Sequence, residues 1–185
     1  MRYSLLAILL TALTLGGCAT RGHQASYLSS EAEGPYTLAS GDRLRVIVYG
    51  QDSLSNSYNV DGSGRISMPL IGDVDAKGMT VAQVERVIEA RLRNGFLREP
   101  KVAAEVVAFR PFFILGEVTT AGQYPYISGM TVQNAIAVAG GFTPRASKST
   151  VELTRIVRGQ PVTADVLVTE RIRPGDTVTV RERFF

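Results

Sequence analysis

The sequence holds one cysteine, one histidine and no tryptophan in 185 residues. A lone cysteine makes no disulfide within the chain, and a chain of this size buries enough surface to fold without one. One histidine leaves a tetrahedral zinc site short of ligands and leaves a serine or cysteine nucleophile without its usual base. No stretch after residue 18 approaches eighteen apolar residues, so the sequence predicts no membrane-spanning helix. Charge of one sign is not in surplus either: 20 basic residues stand against 17 acidic ones, a formal net charge of +3. The charges are interspersed, with no basic stripe interleaved with aromatics, so nucleic acid is not expected as a partner.

What remains for chemistry is a handful of carboxylates and loop charges. A glycosidase needs two carboxyl groups facing each other across a cleft. Glu85 and Glu89 stand four residues apart on a predicted helix and read as a solvated pair, with Glu89 placed to meet Arg93. Asp73 and Asp75 flank Val74 near a glycine, where turn chemistry outweighs a cation site. Gly62-Ser63-Gly64 lacks the lysine and the following helix of a phosphate-binding loop. Arg145 and Lys148, after Gly141-Phe142, are two charges in a loop that could meet an anionic chain. No catalytic set, metal set or cofactor is expected, which points to binding or assembly.

The N-terminus is more informative. Arg2 opens a positive region, and Leu5 to Leu15 is apolar apart from Thr11 and Thr14. That length suits a signal peptide over residues 1–17 and is too short to span a bilayer. Leu15-Gly16-Gly17-Cys18 is a lipobox: an aliphatic residue, two small residues and a cysteine to be acylated. Several acyl chains, each buried CH₂ worth about 0.8 kcal/mol, make such an anchor effectively permanent. Ala19, in place of the aspartate that retains lipoproteins at the inner membrane, resembles an outer-membrane address. Residues 18–34 are expected to be the lipidated cysteine and a flexible tether, rich in Ala, Ser and Gly, with His23 as a solvated member. Sixteen extended residues would reach about 55 Å.

Beyond the tether, local patterns switch between periods of two and 3.6. Leu44, Val46 and Val48 alternate as a strand after the Gly41-Asp42 turn. Asn59 to Ile66 carries Asp-Gly and Ser-Gly and predicts a hairpin. Thr80 with Gln83 forms a capping box. The stripe Val81, Val84, Val87, Ile88 and Leu92 then predicts a helix that Gly95 ends. Strands are expected over 102–107, 112–118 and 151–157, with Gly122-Gln123-Tyr124 as a turn into another short strand. A turn is expected at 158–161, and another at 173–176 leading into Val178 and Val180. A second helix opens at Thr131, with Val132, Ala135, Ile136 and Ala139 as its stripe and Gly140-Gly141 as its stop. Two short repeats stand out. Gly78-Met79-Thr80-Val81 returns as Gly129-Met130-Thr131-Val132, and Gly41-Asp42 opening a strand returns as Gly175-Asp176. Shared ancestry and reuse of common turn chemistry account for them equally well. The pattern is strands plus one helix, twice over, an α+β class.

These segments resemble the outer-membrane polysaccharide export proteins, the Wza-like family. Tyr36 to Val46, Val60 to Val74, Thr80 and Pro100-Lys101-Val102 are similar to the polysaccharide export domain, here 35–109. Leu115-Gly116-Glu117-Val118, Gly122-Gln123-Tyr124, the helix from Thr131 and Ala139-Gly140-Gly141-Phe142 resemble the SLBB β-grasp domain, here 110–185 with Arg173 to Val178 as its closing strand. Ala121 stands where the family often has proline, and no C-terminal amphipathic helix follows, as in the family's short members. The resemblance implies a homo-oligomeric, lipid-anchored ring on the periplasmic face of the outer membrane. Its implied partners are the exported polysaccharide, an inner-membrane polysaccharide copolymerase and a separate outer-membrane β-barrel. A periplasmic glycan-binding lipoprotein that forms no conduit is the alternative. Polysaccharide-contacting residues stay unassigned, and Cys18 is the only site residue the reading commits to.

Overall fold

The computed structural model describes residues 24–30 and 34–183. They form two compact units. The first is made of 34–112 with 123–128; the second of 24–30, 113–122 and 129–183. Residues 123–128 thus return to the first unit after the chain has entered the second. Cys18 and His23 lie outside the described residues.

In the first unit, β1 (Arg43–Val48) buries Leu44, Val46 and Val48 and exposes the residues between them. It lies at the centre of a three-stranded antiparallel sheet, between β2 (Asn56–Asn59) and β5 (Val102–Ala108). A single 3-10 turn, Asp52–Leu54, connects β1 to β2. The expected hairpin over 59–66 is corrected here. Its turn forms, with the Asp61 carboxylate accepting the Arg65 N–H at 2.9 Å, but the flanking strands go to different sheets. β2 pairs with β1, whereas β3 (Arg65–Met68) pairs with β4 (Gly72–Asp75). The tight turn of that hairpin is Pro69 to Ile71, where Leu70 takes a φ of 69°.

The helix in this unit, Val81–Arg93, begins as its capping box requires. The Thr80 hydroxyl accepts the Gln83 N–H at 3.3 Å, and the Gln83 side-chain Oε1 accepts the Thr80 N–H at 2.7 Å. Gly95 follows its C-cap with a φ of 95°, the left-handed conformation that stops a helix. Val84, Ile88 and Leu92 are buried and join Leu44, Val46, Ile66 and Val74 in one core. Each fully buried aliphatic side chain there contributes roughly 1.5–3 kcal/mol.

The second unit starts with a helix at 24–30, here α1; Val81–Arg93 is accordingly α2. The tether expectation is corrected over α1: Leu28 is buried completely and pins this stretch down as a short helix. The unit's sheet has five strands in the order β7-β6-β10-β8-β9. They are β6 (Phe112–Gly116), β7 (Gly122–Tyr124), β8 (Thr150–Val157), β9 (Gln160–Leu167) and β10 (Thr177–Val180). β10 runs parallel to β6 and antiparallel to β8. Helix α3 (Val132–Val138) has the same capping box, from Thr131 and Asn134, and buries Val132, Ala135 and Ile136. The turn expected over 158–161 closes after Arg158-Gly159, and Gln160 and Pro161 already belong to β9. Proline is tolerated there because β9 is an edge strand. The whole is α+β, as the sequence predicts.

Candidate functional site

A buried carboxylate organises each unit. Asp42 is wholly shielded from water in the first. Its Oδ2 accepts the Tyr36 hydroxyl at 2.5 Å and the Ala39 N–H at 2.9 Å, while Oδ1 accepts the Arg110 N–H at 2.8 Å. The Arg110 guanidinium adds an ion pair at 3.4 Å. In the second unit Asp176 is equally buried. Arg155 grips it with two parallel bonds, Nε to Oδ1 at 2.9 Å and Nη2 to Oδ2 at 2.7 Å. The Arg173 N–H adds a third at 2.7 Å. A buried carboxylate is tolerated because a cation and several donors surround it.

The two joints share one construction. Asp42 donates its N–H to the Ala39 carbonyl at 3.1 Å, and Asp176 donates to the Arg173 carbonyl at 3.1 Å. Each carboxylate returns a bond to the N–H of that same residue three positions earlier. Four residues before each aspartate, a backbone N–H reaches the methionine of the other repeat. Leu38 donates to the Met79 carbonyl at 2.9 Å, and Ile172 donates to the Met130 carbonyl at 3.0 Å. The Gly-Asp and Gly-Met-Thr-Val repeats are thus the two halves of one hydrogen-bonded joint. Their order along the chain is reversed between the units.

Tyr36 sits at the edge of the first joint. Its ring meets Phe109 edge-on, with centroids 5.0 Å apart, and Phe109 meets Tyr126 at 5.4 Å. Tyr124 stacks on Phe112 at 6.0 Å. These contacts explain why 123–128 belongs to the first unit. Burial, followed by the hydrogen bond to Asp42, pushes the Tyr36 phenol well above its ordinary value near 10. A pKa raised in the folded state gives stability that is full below pH 10 and is lost as the pH climbs above it, where the unfolded chain ionises first. Wild type is expected to unfold at lower urea concentration above pH 10, and Tyr36→Phe should shallow that slope. Identical slopes for the two proteins between pH 9 and 11 would show that Tyr36 ionises freely.

The other carboxylates named from the sequence are structural. Glu85 accepts the Ala104 N–H at 2.7 Å and Glu89 accepts the Val102 N–H at 3.0 Å, so both serve the backbone of β5. Glu89 therefore does not face Arg93. Asp73 pairs with Arg65 at 3.5 Å and accepts the Ser67 hydroxyl at 2.9 Å. Asp75 lies opposite Arg65 on the same exposed hairpin face. Gly64 is held so close to Lys77 that a Cβ would approach its Cβ at 2.4 Å, a packing role. Arg145 is bound by Glu182 at 2.7 Å, and Lys148 is exposed. Among the described residues no group of three or more His, Cys, Asp or Glu side chains is arranged to hold a metal.

Arg155 and Arg110 are the residues that sequence reasoning missed. The signal for Arg155 was present: it occupies an inward-facing position of β8, in phase with Val151, Leu153 and Val157. A charge at that phase needs a buried partner.

Open surfaces among the described residues include the following. A shallow groove of about 340 Å³ on α2 is lined by Met79, Gln83, Arg86, Val87 and Ala90. On the second unit, one sheet face carries Phe113 beside Thr177, Thr154 and Thr163 in a single row across four strands. Phe113 is 40% exposed, and the hydroxyls of Thr154 and Thr163 lie 2.8 Å apart. Uncharged hydroxyls of this kind can both donate and accept weak, exchangeable bonds. No helix among the described residues is long and apolar enough to cross a membrane.

Residues 30–107 match the family described as polysaccharide biosynthesis/export protein, and residues 111–165 match the SLBB domain. Among curated proteins, the chain is 35% identical over 118 residues to the exopolysaccharide production protein ExoF of Rhizobium meliloti (strain 1021). That alignment covers 57% of this chain and 28% of ExoF. It is 24% identical over 160 residues to the polysialic acid transport protein KpsD of Escherichia coli, 80% of this chain and 28% of KpsD. It is 30% identical over 131 residues to the capsule polysaccharide export outer membrane protein CtrA of Neisseria meningitidis serogroup A, 65% of this chain and 33% of CtrA. The chain thus spans about a third of the length of the curated relatives it matches.

Proposed function

We propose that this chain, whose residues 30–107 match the polysaccharide biosynthesis/export family and whose residues 111–165 match the SLBB domain, is a lipid-anchored, periplasmic component of a conduit that exports exopolysaccharide or capsule. In this reading Cys18 carries the acyl chains and holds the protein at the outer membrane. Copies of the chain close into a ring that links an inner-membrane copolymerase to a separate outer-membrane β-barrel. The observation that carries the reading is the pairing, in order, of the export domain with the SLBB domain. Relatives aligned with them are named for exopolysaccharide production, polysialic acid transport and capsule export. The first joint supports it on physical grounds: Asp42, Tyr36 and Arg110 are spent on holding the fold. A path for a hydrated polymer needs a polar wall that binds weakly, and the threonine row of the second unit has that character.

The test is made in cells. The gene is deleted and restored with wild type or with Cys18→Ser, and polymer is quantified outside the cell and in the periplasm. Loss of secreted polymer that wild type restores and Cys18→Ser restores poorly is the expected outcome. Unchanged secretion in the deletion strain would remove the conduit. A monomer in native mass spectrometry with measurable affinity for the polymer would favour a glycan-binding lipoprotein instead.

A further inference from the structure

Helix α1 is fixed to the second unit. Leu28 is 0% exposed. The Arg155 Nη1 donates to the Leu28 carbonyl at 2.6 Å, and the Ser29 hydroxyl donates to Glu170 Oε2 at 2.8 Å. The same guanidinium holds Asp176 and reaches the Arg171 carbonyl at 3.2 Å. A cation at the end of a helix satisfies its last carbonyls and opposes its dipole. Arg155 therefore joins two tasks: it neutralises a buried carboxylate and secures the C-terminal end of α1. The side chain is 5% exposed, so it cannot swing away without leaving Asp176 unpaired in the core.

The consequence is a matter of chain length. Only six steps separate Cys18 from Gln24, the first residue of α1. Fully extended, they reach about 22 Å; as a flexible coil they span roughly 12–15 Å. A leash running free to residue 34 would reach about 55 Å. The exposed residues of α1 are Gln24, Ser26, Tyr27 and Ser30, uncharged and polar, with Tyr27 38% exposed. Tyrosine with one polar end suits the headgroup layer of a bilayer.

We propose that Leu28 and Arg155 form a clamp that shortens the membrane leash, holding the α1 side of the second unit against the lipid headgroups. The proposal rests on the lipid-anchored reading of Cys18. The docked helix turns a long tether into a short one, and the α1 face of the second unit meets the headgroups.

The experiment uses the full acylated chain in nanodiscs whose lipids carry headgroup nitroxides. Cys18 is the single native cysteine and is consumed by acylation, so Arg171→Cys, on the exposed residue beside the clamp, takes a thiol-reactive fluorophore alone. Strong quenching is expected. It should fall several-fold with Leu28→Ser, and also with an insertion of about ten Gly/Ser residues between Gly22 and His23 that leaves the folded units untouched. Amides of 28–30 should be protected from hydrogen exchange, and Leu28→Ser should release them. Weak quenching in acylated wild type, or quenching that the insertion leaves unchanged, would overturn the proposal while the anchor stands. So would the amides of 28–30 exchanging as fast as free chain. An intact mass without acyl chains on Cys18 would sink the anchor itself, and the proposal with it.

Discussion

Replacing Asp176 by alanine is expected to destabilise the second unit by about 3–5 kcal/mol, the cost of leaving one partner of a buried ion pair without the other. Arg155 would remain in the core with two of its donors facing nothing, and the Arg173 N–H would lose its acceptor. Urea unfolding followed by far-UV circular dichroism reads the loss. The double replacement Arg155→Met with Asp176→Leu should recover a large part of it, because a well-packed apolar pair avoids desolvating two charges. The double variant should nevertheless lose protection over 28–30, since methionine cannot bind the Leu28 carbonyl. A single Asp176→Ala variant within about 1 kcal/mol of wild type would mean that the pair is solvated, as surface pairs are.

Gly116→Ala carries the second large effect. Gly116 has a φ of 85°, and a Cβ there would lie 2.1 Å from the Val180 carbonyl oxygen. Both atoms belong to backbone, so no side chain can yield. Left-handed strain of about 1–2 kcal/mol adds to an overpacking cost of about 1–3 kcal/mol. The parallel pairing of β6 with β10 ends at this residue, opposite Val180. We expect a loss of about 2–5 kcal/mol and increased hydrogen exchange in β10, with β8–β9 less affected. Gly159→Ala is the matched control. Its φ of 80° imposes similar backbone strain, but nothing lies within 4 Å of its Cβ. If the two variants are equally stable, the close approach at Gly116 does not exist in solution.

Local chemistry was legible in the sequence and partnership was not. The Thr80–Gln83 capping box, the helix start at Thr131, the α2 stripe and the alternation of β1 follow from residue types within a few positions of one another. The repeats were visible as strings, but only three-dimensional adjacency shows that Leu38 meets Met79 as Ile172 meets Met130. β9 was overlooked because Pro161 reads as a turn residue, and edge position, which tolerates it, is a property of the sheet. The 59–66 hairpin failed for a related reason: Asp-Gly and Ser-Gly specify a tight turn and say nothing about which strand each arm then chooses. Leu28 was lost among serines and alanines, since one aliphatic side chain larger than alanine in seven residues has no period. Glu85 and Glu89 looked solvated because their partners are backbone amides 19 and 13 residues away.

The strand order of the second unit also governs how the protein comes into being. β10 lies late in the chain yet sits between β6 and β8. A ribosome, and any translocation channel that passes the chain N-terminus first, delivers β6 and the β8–β9 hairpin well before the strand that must separate them. Until Thr177–Val180 arrives, two edges stand open with unpaired amides and carbonyls. The sheet then closes through a pairing some sixty residues apart in sequence, a slow step by the logic of contact order. The second unit is therefore most vulnerable to aggregation just before β10 is delivered, the interval in which a holding chaperone would matter most.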